Sequence, residues 1–349
     1  MRFETSPHTA ENCAACEPVE KPWWKDHALW AVCLLAVMLG FGRFWPRVAD
    51  ALWGYLANGS WAIALGLILG GIIDHFIPKE YISIWLTGKR KRTILASAGL
   101  GFLASSCSHG CLALSMELYR KGASVSAVLT FLLASPWANL SMTLLILSLM
   151  GWKGLLIVVM ALAIAVVSGF IFQRLEKRGL VAENPHSIRV GGDFSILLDL
   201  KKRFLHRKWT PQTLAGDLRG IARGSLTLSR MMLFWVALGF TFSAVLGTVV
   251  PPHWWGRYFG PTLLGLLAAL AVATLIEVCS EGTAPIAVEL YRQTGALGNA
   301  FGFLMGGVVT DFTELSLLWA NLGKKAVGWY LLVTLPQVFL WGMALNLLH

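Results

Sequence analysis

Apolar stretches of about 20 residues, the length a helix needs to cross a bilayer, recur along this chain and constrain its fold more than any other feature. Inside lipid every backbone N–H and C=O must be satisfied within the protein, which leaves only helices or a closed β-barrel. A barrel would show short segments of alternating polarity, and the chain has none. Its apolar runs are continuous and rich in Leu, Ala, Gly and Trp, the usage of helices packed in membranes. Charged residues are 14% of the chain and mean hydropathy is +0.63, whereas soluble domains carry roughly 25% charge. The sequence therefore predicts an all-α polytopic membrane protein of about eight to ten membrane segments.

Two matched polar breaks stand inside these runs. CSHGCLALSMELYR begins at Cys107 and CSEGTAPIAVELYR begins at Cys279, with half of the 14 positions identical. The copies lie 172 residues apart, and at that offset Phe131-Leu132 falls on Phe303-Leu304 and Asn139 on Asp311. Paired interruptions of this kind are the best sequence pointer to a transporter's binding site. The chain thus divides into a polar tail (1–26), an extra N-terminal span (27–50), a first membrane repeat (51–172), a basic loop (173–227) and a second repeat (228–349).

Spans are predicted near 27–45, 60–77 and 155–172, with broken segments at 93–119 and at 123–150. The second break is placed at Ser135–Asn139, because Pro136 removes a backbone donor and disfavours helix at the residue before it. Gly122 is expected to end the helix before it. Further spans fall near 228–250, 261–279, 296–320 and 326–348.

The net charge of +10 is concentrated in Lys89–Arg92 and in 173–227. Basic loops beside spans stay in the cytoplasm, so this excess encodes topology rather than nucleic-acid binding. Three full crossings between the two loops would place them on opposite sides. A re-entrant segment in each half removes the conflict and makes the two repeats inverted, with the C-terminus opposite the basic loops. The N-terminal tail is then read as cytoplasmic, in a multi-pass protein of the cell (inner) membrane. Residues 194–205 have the pattern of a basic amphipathic helix and carry no assigned chemistry.

The stretches CSHGCLALSMELYRKG, FLLASPWAN and EVCSEGTAPIAVELYRQTGALGNAFGFLMGGVVTDFTE resemble the ArsP-type family of predicted permeases over roughly residues 50–345. That resemblance implies transport, and efflux of organoarsenicals or other soft metals. Many members carry a second cysteine soon after the first, as CSCG. Here that position is His109, and Cys111 lies two residues on.

The residue types fit such a cargo. Thiolates prefer soft ions such as trivalent arsenic, Cu(I) and Zn, so Cys107 and Cys279, one from each repeat, would make a two-thiol site with His109 or Cys111 as a third donor. A lone cysteine in a membrane helix is often just a small buried residue; its duplication beside a glycine break favours binding. Ser108, Gly110, Ser280 and Gly282 allow an unwound backbone. Asn139 and Asp311 complete the candidate substrate site. Glu281, Asp311 and Glu314 are candidates for proton coupling, because a charge at bilayer depth costs at least ~2.5–3.5 kcal/mol and usually faces a pathway. Glu277 and Glu314 have the alternative of snorkelling to an interface.

The matching pairs Glu117–Arg120 and Glu289–Arg292 read as charge pairs closing helices at the surface. Cys13 and Cys16 form one CxxC in the tail, two ligands rather than a closed site, and are tentative soft-metal ligands. No cofactor is called for, no phosphate-binding GxxxxGK[ST] loop is present, and the oligomeric state is left open. The leading reading is a proton-coupled permease exporting a soft metal, metalloid or organometalloid through the lipid bilayer. A permease for an unrelated small anion and a membrane thiol enzyme are the alternatives.

Overall fold

The computed structural model describes residues 45–76, 91–101, 108–120, 122–185, 211–276 and 280–347, with Cys33, Ala36 and Gly40 as isolated helical positions. These residues are mostly helical, joined by short turns, and no strand occurs among them. The first half comprises α1 (Pro46–Phe76), α2 (Lys91–Leu100), α3 (Ser108–Arg120), α4 (Val125–Ala138), α5 (Leu140–Met150) and α6 (Trp152–Lys177). The second comprises α7 (Pro211–Val249), α8 (Pro252–Phe259), α9 (Leu263–Ile276), α10 (Ser280–Thr294), α11 (Leu297–Val309), α12 (Phe312–Leu322) and α13 (Lys324–Asn346). Among the described residues three helices are long and apolar enough to cross a membrane alone, and up to six spans result if each bent pair counts as one.

The first residues of α2 through α6 reappear, 172 positions later, as the first residues of α9 through α13. Local chemistry explains why. Asn139 and Asp311 cap equivalent helices, Asn139 accepting from Ser141 N at 3.0 Å and Asp311 from Glu314 N at 3.0 Å. Gly151 (φ 60°) and Gly323 (φ 86°) supply left-handed backbone at the next joint, a conformation that costs other residues a Cβ clash.

Contacts along the helices fix their directions. His75 at the end of α1 meets Asp217 in the first turns of α7, Nε2 to Oδ1 at 2.9 Å. At the opposite end Trp45 and Arg47 share a cleft with Thr248 and Val249. The equivalent helices α1 and α7 therefore run antiparallel. The turn from α7 into α8 is 106°. Trp254 and Tyr258 of α8 are exposed and Arg257 lies over the Tyr258 ring, the character of a helix lying along a membrane interface. The two ends of the bundle are called below the His75 end and the Trp255 end.

Helix α9 starts at the Trp255 end and runs parallel to α11. Leu266 abuts Gly302, and Thr274 Oγ1 meets Thr310 Oγ1 at 2.9 Å. Helix α10 comes back, alongside α7, with Gly282 against Gly239 and Glu289 against Gly247, and a turn at Gly295 leads into α11. The pair α9–α10 thus enters and leaves at one end. The described part of α9 is 14 residues, about 21 Å, shorter than a crossing needs; the end of the predicted span at 261–279 lies outside the described residues. Helices α2 and α3 repeat the plan from the His75 end. Ile94 packs by Thr130 and Gly169, and Asn184, beyond α6, donates to Tyr119 O at 2.5 Å and Ala123 O at 2.7 Å. Helix α13 finishes at the Trp255 end, where Asn346 donates to Asn299 Oδ1 at 2.8 Å.

Three further sequence expectations meet the structure. Gly122 does end α3, with Gly122 N on Tyr119 O at 3.0 Å. The break in 123–150 lies at Asn139, the last residue of the predicted Ser135–Asn139 break, and Pro136 sits inside α4. There the Asn139 side chain starts a new helix, and α4 and α5 meet at 45°. The basic loop is shorter than 173–227, since α6 runs to Lys177 and α7 begins at Pro211. Arg219, Arg223 and Asp217 belong to helix rather than loop, because a polar face on one side and glycines against α1 suit a helix leaving the bilayer.

Candidate functional site

Each motif stands at the start of a helix. Ser108, His109 and Gly110 open α3, and Ser280, Glu281 and Gly282 open α10. Cys107 and Cys279, which precede those helices, lie outside the described residues, as do Cys13, Cys16 and Glu277. Cys111 is fully buried, one residue after Gly110. Gly282 lies so close to Gly239 of α7 that a Cβ at Gly239 would collide with the Gly282 backbone. Glycine at position 239 is therefore a packing requirement for the approach of the motif.

The second polar centre lies where α11 bends 43° into α12. Asp311 sits at the break, half-committed to capping α12 through one oxygen, a placement that helix N-termini favour for a carboxylate. Glu314, in the first turn of α12, is 1% exposed, and neither carboxylate oxygen has a hydrogen-bond partner among the described residues. Tyr330 of α13 is 1% exposed, its hydroxyl is likewise unpartnered, and it lies within electrostatic reach of both carboxylates. Snorkelling is thereby excluded for Glu314. Three ionisable or hydroxyl groups converge in the bundle interior, where an unsatisfied polar group costs several kcal/mol.

The first half has no such centre. The positions equivalent to Asp311, Glu314 and Tyr330 are Asn139, Met142 and Val158, all buried. Asn139 keeps the capping role, while the other two have become apolar packing.

Tyr330 escaped sequence reasoning because a tyrosine in a membrane helix is ordinary, and only the fold aligns it with Glu314. The structure also corrects the reading of Glu289 and Arg292 as a surface charge pair. Glu289 is buried and accepts from Tyr55 of α1 and from Gln293 Nε2 at 2.7 Å, while the Arg292 guanidinium lies 4.9 Å from the centre of the Tyr55 ring. Burial against α1 and α7, not exposure, decided the partner. No group of three or more His, Cys, Asp or Glu side chains arranged for a metal occurs among the described residues.

A helical multi-pass membrane protein, with broken spans and paired re-entrant helices meeting polar groups in its interior, belongs to the class of membrane transporters. The chain matches the ArsP_1 predicted permease family over residues 48–347 and belongs to that family. Its members are transporters rather than enzymes, which sets the thiol-enzyme alternative aside. Rv2963 of Mycobacterium tuberculosis, provisionally named as a permease, is 25% identical over 279 residues, covering 75% of this chain and 66% of that protein, just under two thirds of its length. YcgR of Bacillus subtilis, a UPF0718 protein, is 25% identical over 280 residues, covering 78% of this chain and 87% of that protein. No solved structure gives a significant match.

Proposed function

We propose that this permease is a secondary transporter of the inner membrane that exports a thiophilic metal, metalloid or organoarsenical in exchange for protons. Its two halves are inverted repeats. Cys107 and Cys279, one from each half, supply soft donors to one cargo, with His109 or Cys111 beside the first. Ser108, Ser280, Glu281, Asn139 and Asp311 line the polar environment around them. The His75 end, adjoining both basic stretches, faces the cytoplasm, and the N-terminal tail lies there too.

The observation that carries the coupling is the enclosed, unpartnered Glu314 beside Asp311 and Tyr330. A carboxyl held in this way exchanges its proton when the site opens to water on one side and then the other. Glu314 and Asp311 thus carry the coupling proton and Tyr330 hands it on. Intramembrane carboxylates that face the bundle interior mark such relays. Glu281, at the hairpin tip, belongs to the same pathway. Cys13 and Cys16 gather cargo at the cytoplasmic mouth.

Uptake by everted vesicles tests the reading, with trivalent phenylarsenical, Cu(I) and Zn(II) as probes and a fluorescent pH indicator in parallel. Uptake of at least one soft probe with matched proton efflux is the expected result. Proton-independent movement of oxyanions alone, unaffected by alkylation of the thiols, would sink it in favour of the anion permease.

A further inference from the structure

The duplicated ELYR segment, Glu117–Arg120 in α3 and Glu289–Arg292 in α10, has no part in the cargo or proton sites. Its second copy is fastened down. The Tyr55 hydroxyl donates to Glu289, Gln293 holds the same carboxylate and Gly247 O, Arg292 covers the Tyr55 ring, and Lys153 Nζ donates to the Tyr291 hydroxyl at 2.5 Å. Tyr55 in turn stacks on Phe240 with ring centres 5.5 Å apart. Four helices, α1, α6, α7 and α10, are thus tied together at the Trp255 end through one arm of the hairpin that ends in the Cys279 motif. Gly247 is necessary for this, since a Cβ there would collide with the Glu289 carboxylate.

Under the 172-residue offset the partners of that lock map onto the other end of the same two helices. Tyr55 corresponds to Thr227 and Gly247 to His75. Both Thr227 and His75 line a cleft of about 520 Å³ at the His75 end, with Arg219 and Arg223 on its wall. Where Tyr55 is 1% exposed, Thr227 is exposed. The imidazole of His75 is held by Asp217, and neither arginine is in an ion pair among the described residues. The cleft is basic and the segment that symmetry brings to it carries Glu117. Lys325 is the counterpart of Lys153 and Tyr119 that of Tyr291, so a second tie is also duplicated.

Resting on the inverted-repeat reading above, we propose that the cleft is the docking site for the ELYR end of α3, and that the two copies of ELYR are alternating gates. Among the described residues the structure is closed at the Trp255 end, by α10 on Tyr55, and α3 does not fill the cleft at the His75 end. In the other state α10 lets go and α3 swings in, with Glu117 against Thr227, His75 and the two arginines. Opposite charges across the cleft favour that docking, and only one gate is made at a time because the hairpins share a single passage between them.

Paired cysteines test this. Lys153→Cys with Tyr291→Cys, which leaves the Tyr55–Glu289 lock in place, probes the closed gate, and its counterpart Tyr119→Cys with Lys325→Cys, which keeps Glu117, probes the proposed one. Each pair joins the two halves, so a short bismaleimide link is read as one chain surviving cleavage at a protease site placed within residues 186–210. The first pair should link in resting vesicles. Acidifying the Trp255 side should lower that link several-fold and raise the second by a similar factor. Linking either pair should stop phenylarsenical export. The variant Y55F/E289Q removes the lock without new thiols and should by itself raise linking of the second pair, whereas R223E should lower it. The proposal is overturned if the second pair never links in protein that still transports, or if linking the first leaves export unchanged. If the links alternate but no soft probe moves, the gates stand and the cargo assignment fails.

Discussion

The joints between α4 and α5 and between α11 and α12 are built alike and filled differently. Both bend by just over 40° at a capping side chain, Asn139 in one and Asp311 in the other. Asp311 stands beside Glu314 and near Tyr330, whereas the positions equivalent to those two in the first half, Met142 and Val158, are buried apolar residues. One joint is an apolar pivot. The other holds two carboxyls and a hydroxyl in the protein interior, two of these groups with no hydrogen-bond partner among the described residues. Shape has been kept because helix direction depends on the cap. Charge is free to differ under the proposed coupling, in which one proton site per cycle suffices.

The strongest test of that contrast is Glu314→Gln, which leaves volume and helix intact but removes the exchangeable proton. Coupled export should fall to background while protein in the membrane stays at parent level. Undiminished proton-linked export would move the coupling site elsewhere. The reciprocal change Met142→Glu should do no coupling and should destabilise by at least ~2.5–3.5 kcal/mol, because it puts a charge at a buried position that an apolar side chain fills. Thermal unfolding in detergent reads this.

The hairpin tips differ in the opposite sense, being alike in thiols and unlike at His109 and Glu281. Cys107→Ser and Cys279→Ser should each cost most of the soft-cargo export, with the double variant little worse than either, as for residues that share one ligand. Independent small losses, measured by vesicle uptake, would mean that the thiols only pack. Smaller again is the effect at the α7–α10 crossing. Gly239→Ala should destabilise by about 1–3 kcal/mol through overpacking against Gly282, while Gly99→Ala, where a Cβ meets nothing within 4 Å, should be nearly neutral. Equal shifts in melting temperature would refute the close approach. Least of all, deleting residues 1–20 should leave the maximal export rate nearly intact and weaken apparent affinity, and complete loss in a normally inserted protein would contradict it.

Hydropathy and the repeated CSxG and ELYR segments were enough to establish a helical membrane permease, because lipid admits few backbone solutions and each repeat encodes its own caps and breaks. The common starts of α2–α6 and α9–α13 were implicit in that repetition. The charge of the loops required a re-entrant segment in each half but could not say which, since α9 and a true span look equally apolar in sequence. Direction along the bundle decided it, through Thr274 on Thr310 and Gly282 on Gly239. Likewise Asp311 and Glu314 were legible as acids in apolar surroundings, but Tyr330 joined them only when α13 packed beside α12. Glu289 and Arg292 read as neighbours on one helix, and in the fold both turn to Tyr55, 234 residues from Glu289. Local sequence determines where helices start, stop and break; which of their polar groups share a space depends on contacts between segments far apart in the chain, and those exist only in the tertiary structure.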